Sequence, residues 1–105
     1  MVAYLVALGR VHKPEVLPEH ERHTPAVVAA FGGRYLVRGG TMETLAGDIE
    51  DRRAVVVEFP DMDRARAFYE SPGYQDARKH LGDAITADMF LLEGFEPDRA
   101  PHSGS

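Results

Sequence analysis

The chain has 105 residues, enough for one domain, and its 44% apolar and 28% charged content is the balance of a sequence that packs a core rather than staying disordered. Twelve Lys and Arg against seventeen Asp and Glu give a formal charge of -5, which opposes a phosphate-tracking surface and argues against nucleic acid as a partner. Cysteine is absent, which excludes disulfides and thiolate chemistry and is compatible with an expected cytoplasmic location.

The opening run Val2 to Leu8 is apolar, but it is far shorter than a membrane span and has no basic leader, so it predicts a strand and no membrane partner. Val2, Tyr4, Val6 and Leu8 fall on one side of that strand and Ala3, Leu5, Ala7 and Gly9 on the other. Both sides are apolar, so the strand requires cover on two faces. Pro14 is tolerated in a first helical turn, and Glu15 to Phe31 predicts a helix interrupted before Pro25, with Thr24 as the cap of the restart. Gly32-Gly33 ends it. A second strand spans Arg34 to Arg38, Gly39-Gly40 bends the chain, and Thr41 to Leu45 is expected to continue extended up to a turn at Gly47-Asp48. The third strand is the valine-rich run Ala54 to Phe59. Asp61 or Asp63 caps a helix to about Tyr69; Ser71-Pro72 signals a new helix over Gly73 to Leu81; Ala87 to Phe95 closes the order as a strand.

Strand, helix, strand, strand, helix pair, strand is the split arrangement of an α+β ferredoxin-like βαββαβ sandwich, with a four-stranded antiparallel sheet over residues 1–95. Helices can cover one face of that sheet. The other face still reads Val, Ala and Leu, and the cover expected for it is a second copy of the chain, a homodimer. Residues 96–105, with two prolines, a glycine and two serines, are expected to form a flexible tail outside the fold.

The combination of Gly32-Gly33-Arg34-Tyr35-Leu36-Val37-Arg38-Gly39-Gly40, Val57-Glu58-Phe59-Pro60, Ala67-Phe68-Tyr69-Glu70-Ser71-Pro72 with Tyr74, and Glu93-Gly94 resembles the domain-of-unknown-function family 1330 of the dimeric alpha-beta barrel superfamily. The resemblance runs over about residues 3 to 95 and implies the same fold and a dimer paired sheet to sheet. The family carries no assigned reaction. Its wider superfamily includes monooxygenases, polyketide cyclases and lactone isomerases that work without a metal or with haem, in pockets between sheet and helices. The chain departs from the family pattern at three positions: His20 stands where tyrosine is common, Pro18 interrupts the first helix, and Leu81 replaces an arginine before the last strand.

Arg38 and Glu58 fall among apolar strand residues, where a buried charge needs a partner. Either they form a bracing pair, or Arg38 grips an anion and the carboxylate acts as base. His20 and His23 share a helix face, and a neutral imidazole there can take a proton near pH 7; solvent exposure beside Glu19, Glu21 and Arg22 is the alternative. Tyr69 and Tyr74 flank the break between the two later helices, with packing as their ordinary role. His20, Arg38, Glu58 and Tyr69 are accordingly the candidate catalytic groups, and His23, Tyr35, Tyr74 and His80 the candidate ligand contacts. His20, His23 and Glu19 match no metal-ligand signature, so no metal or other cofactor is expected. Haem or metal held by His20, His23 or His80 is the weakest option. The expected function is proton-transfer chemistry on a small organic molecule, of isomerisation or cyclisation type, in the biosynthesis of specialised metabolites. Binding a small ligand without turnover is the alternative.

Overall fold

A computed structural model describes residues 1–49 and 52–95; the tail expected over residues 96–105 lies outside them. The elements run β1 (Ala3–Val11), a 3-10 turn at Pro14–Val16, α1 (Leu17–Ala30), β2 (Arg34–Arg38), β3 (Arg53–Phe59), α2 (Met62–Glu70), α3 (Pro72–Leu81) and β4 (Ile85–Glu93). The sheet is antiparallel throughout in the order β2-β3-β1-β4. This is the expected ferredoxin-like α+β sandwich.

Local chemistry sets the element ends. Asp61 caps α2 by accepting a hydrogen bond from the Arg64 amide, and Ser71 caps α3 by accepting from the Tyr74 amide, with Pro72 in the first turn. Gly32, at φ 78°, turns the chain out of α1 in a conformation side chains resist. Gly33 lets backbone and core meet closely, since a Cβ there would lie 2.7 Å from the Phe59 ring.

Four expectations are corrected. Helix α1 is continuous through Pro25, with no break and no restart cap at Thr24, because a side chain from β2 compensates for the proline while the Thr24 hydroxyl bonds back into the helix. Thr24 donates from Oγ1 to the His20 carbonyl at 3.1 Å, and Arg38 donates from Nη2 to the Glu21 carbonyl at 2.7 Å. Glu21 is the residue whose carbonyl a normal residue 25 would bond. Pro18 does not interrupt α1; it sits in the first turn, where a missing N–H costs nothing. Thr41 to Leu45 does not extend the sheet, since the ladder of β2 ends at Arg38 and the segment beyond is exposed apart from the half-buried Met42. Strand β4 begins at Ile85 and ends at Glu93, two residues before the expected limits, paired with Val11 and Ala3 of β1.

On the face under the helices, Ala3, Leu5, Val57, Phe59, Val28, Ala65 and Phe68 form the core. Phe68 is its hub, with ring centroids 5.2 Å from Phe59, 4.5 Å from Tyr74 and 6.2 Å from Phe31. On the opposite face one register row reads Val37, Val56, Val6, Phe90 across all the strands, with Val37 and Phe90 exposed and Val2 and Leu92 exposed nearby. No element of the described chain covers this apolar face.

Candidate functional site

The aromatic core fills one half of the sandwich and leaves the other half open. There the floor of the helix-covered face is Ala7, Gly9 and Ala87, side chains too small to reach the helices above. A cavity of about 110 Å³ results between the sheet and helices α1 and α3. Its walls are mostly aliphatic, including Leu5, Val55, Val57 and Met89, and its polar groups are His20, Glu21, Thr24, Tyr35, Arg38, Arg53 and Tyr74.

His20 projects inward from α1. Its Nδ1 is buried and has no hydrogen-bond partner among the described residues. Burial is the chief cause that lowers its pKa from the ordinary 6.5, and the Arg53 and Arg38 guanidiniums act in the same direction; a backbone hydrogen bond at Ala77 and the Glu21 carboxylate oppose it. The imidazole is therefore neutral at pH 7. In the tautomer protonated at Nε2, Nδ1 carries a buried lone pair that no described residue satisfies.

Arg38 reaches this space because of an irregularity in β2. Strict alternation would put Tyr35 and Arg38 on opposite faces, but the register shifts between Tyr35 and Val37. That bulge brings Arg38 opposite Val55 and Tyr35 opposite Val57, both on the helix side. The guanidinium stacks 4.6 Å from the centre of the Tyr35 ring while holding the Glu21 carbonyl. Tyr35 in turn donates to Thr24 Oγ1 at 3.2 Å, so ring and helix are fixed together.

Three polar residues of this group, Glu21, Thr24 and Arg53, were not among the candidates from sequence. Arg53, the first residue of β3, forms an ion pair with the Glu21 carboxylate and shares a register row with Gly9 and Ala87. Glu21 thus receives one guanidinium on its backbone and another on its side chain. A charged residue opening a valine-rich strand that points to the covered face was the available signal for Arg53; its partner lies across a long loop and could not be read.

The remaining candidates scatter. Glu58 does not pair with Arg38: it lies opposite Arg34 and bonds its Nε at 2.7 Å, on the uncovered face, with the whole sheet between it and His20. Arg38 itself is exposed at the cavity rim rather than buried. Tyr69 accepts a 2.7 Å hydrogen bond from Arg78 and lines a separate cleft beside β4 with Arg66, Glu70 and Phe90. His23 is exposed, 3.5 Å from Glu19, and His80 is exposed near the end of α3. Tyr74 lines the cavity, its hydroxyl directed at Met89 Sδ at 3.4 Å and its pKa pushed up to about 12, chiefly by burial. Among the described residues no three His, Asp or Glu side chains converge as metal ligands, and no helix is long and apolar enough to cross a membrane.

The same architecture occurs in solved structures at low sequence identity. A protein of unknown function from Rhodopseudomonas palustris matches with a TM-score of 0.74 at 20% identity, covering 91% of this chain and 84% of that one. SnoaB, a cofactor-independent oxygenase from Streptomyces nogalater, matches with a TM-score of 0.63 at 18% identity, covering 91% and 95%. A dimeric protein of unknown function with a ferredoxin-like fold from Bacteroides fragilis matches with a TM-score of 0.63 at 16% identity, covering 89% and 96%. No curated protein matches the chain in sequence. The model of the domain of unknown function DUF1330 matches residues 2–95, and the chain belongs to that family.

Proposed function

We propose that the protein is a homodimeric enzyme that moves a proton on a small organic molecule without a required cofactor. The observation that carries this reading is a buried, unpartnered imidazole Nδ1 on His20, a residue that lines a mostly aliphatic cavity together with the Arg38 guanidinium. His20 takes a proton from an acidic C–H or O–H of the substrate and becomes an imidazolium. The electron pair of that bond stays on the substrate as an enolate or phenolate, whose oxygen Arg38 stabilises. Return of the proton to another atom gives an isomer; alternatively the carbanion closes a ring on a carbonyl carbon of the same molecule, the C–O π pair moves onto oxygen, and that alkoxide takes the proton back from the His20 imidazolium.

Glu58 and Tyr69 have no part in this scheme, because they lie off the cavity. Positioning falls to Glu21, Thr24 and Tyr35, which fix His20 and Arg38 relative to each other. The likeness to SnoaB, described as a cofactor-independent oxygenase, is a precedent on this fold for chemistry without a cofactor. The uncovered row Val37, Val56, Val6, Phe90 supports pairing with a second copy, as does the likeness to a protein described as dimeric.

The test is solvent deuterium incorporation, followed by NMR, into a panel of small enolisable ketones and phenols. The wild type is expected to catalyse exchange in at least one class, and His20→Gln to lose about a hundredfold or more of it. Exchange that survives His20→Gln overturns the assignment. Saturable binding with no exchange in any class favours the non-catalytic ligand-binding reading.

A further inference from the structure

We infer that the cavity selects a small organic monoanion, a carboxylate or acidic enol on a single ring or short chain, seated with its anionic oxygen toward Arg38. The inference locates its ligand in the cavity of the proposed function and rests on that reading for the site, but it concerns recognition, which is measured apart from turnover.

Size sets the first limit. A cavity of about 110 Å³ is somewhat smaller than the roughly 150 Å³ engineered cavity that admits benzene, so one ring or a few carbons fill it. Shape sets the second. Arg38, Val55, Ala7 and Met89 form one register row across the four strands, so the row spans about 14 Å at ordinary interstrand spacing. Its middle, Val55 and Ala7, offers no polar side-chain atom and suits the apolar body of a ligand. The charged groups lie to one side of that floor, on α1 and the β2-β3 edge.

Charge sets the third. Arg38 and Arg53 bring two positive charges and Glu21 one negative, while His20 is neutral, so the lining carries one excess positive charge. A cation is repelled there and a dianion is overcompensated. Arg53 is engaged by the Glu21 carboxylate, whereas the bond from Arg38 to the Glu21 carbonyl uses one of the five N–H donors of its guanidinium. Arg38 is exposed at the rim, where a ligand's anionic oxygen can meet its remaining donors, and the Tyr35 ring beneath holds it in place.

Benzoate is the probe, with benzamide as its neutral counterpart, benzylamine as the cation and phthalate as the dianion, each titrated into isotope-labelled protein and followed by amide shifts. Benzoate is expected to bind with the largest shifts at Ala7 and Val55, and at least about tenfold more tightly than benzamide, benzylamine or phthalate, the difference expected from one charge-assisted hydrogen bond. Arg38→Gln is expected to remove that preference. Because Arg38 also supports α1, the same substitution is made in a Pro25→Ala background, where the residue 25 amide can bond the Glu21 carbonyl and the loss reports the ligand contact alone. Equal affinity for benzoate and benzamide, or an unchanged preference in the double variant, overturns the inference. His20→Gln separates the two readings: benzoate affinity within about threefold of wild type with loss of exchange keeps both. Deuterium exchange without anion preference removes only this inference, and anion preference without exchange removes only the catalytic one.

Discussion

Arg38 donates a 2.7 Å hydrogen bond to the carbonyl of Glu21, the acceptor that Pro25, four residues on and without an N–H, leaves vacant in the middle of α1. A rim residue of the cavity is thereby also the repair of a helix. Because Glu21 adjoins His20, the repair fixes the stretch of α1 that carries the imidazole.

This dual role predicts non-additivity. Arg38→Ala is expected to cost about 1 kcal/mol in the wild type through the lost hydrogen bond, and clearly less in a Pro25→Ala background, where the helix supplies its own donor. Urea denaturation of the four proteins at one fixed concentration measures the coupling. Strictly additive effects would mean that the contact carries no weight.

Filling the floor is predicted to separate fold from function. Ala7 lies at the centre of the row Arg38, Val55, Ala7, Met89, directly under the open space. Ala7→Leu occupies that space with apolar atoms and is expected to change stability by less than about 1.5 kcal/mol while removing probe binding and turnover. Thermal unfolding and the benzoate titration check the two halves. Unimpaired binding would place the ligand elsewhere.

The lowered pKa of His20 predicts a pH dependence of stability. Well above 6.5 the ring is neutral both folded and unfolded and contributes no slope. As the pH falls below 6.5 the unfolded chain takes up the proton first, so stability is lost progressively until the pH passes the lower folded value, and then levels off. Burial first, then Arg53 and Arg38, sets the sign, against the Ala77 backbone and Glu21. His20→Gln is expected to flatten this part of the profile, measured by denaturation from pH 7.5 to 4.5. An unchanged profile would show that the ring does not feel the cavity.

How far the site was legible from sequence depended on whether its chemistry is local. The caps at Asp61 and Ser71-Pro72 and the helix end at Gly32 act within a few residues, and they lie where the sequence predicts them. The two apolar faces of β1 follow from strict alternation. Arg38 defeats that rule, because one extra residue between Tyr35 and Val37 changes the face on which everything after it points. The pairing of Glu58 with Arg34 needs the register between β2 and β3, and that of Arg53 with Glu21 needs the position of α1 over the sheet. Pro25 read as a break for the same reason: the donor that compensates it comes from another element.

The uncovered face predicts the consequence of a single charge. Val6 sits between Val56 and Phe90 in the middle of that face. Val6→Asp is expected to convert a particle of twice the chain mass into a monomer in light scattering at micromolar concentration, because an unpaired carboxylate cannot be buried there. A wild type that is already monomeric at that concentration contradicts the dimer.

The most direct test of the account is an NMR titration of the His20 imidazole, assigned through His20→Gln, with and without benzoate. A neutral ring that titrates below 6.5, and whose nitrogen and carbon shifts move when the probe binds, is the predicted result. A ring that titrates at or above 6.5 and does not respond to the probe would contradict the assignment of His20 as the base of this cavity.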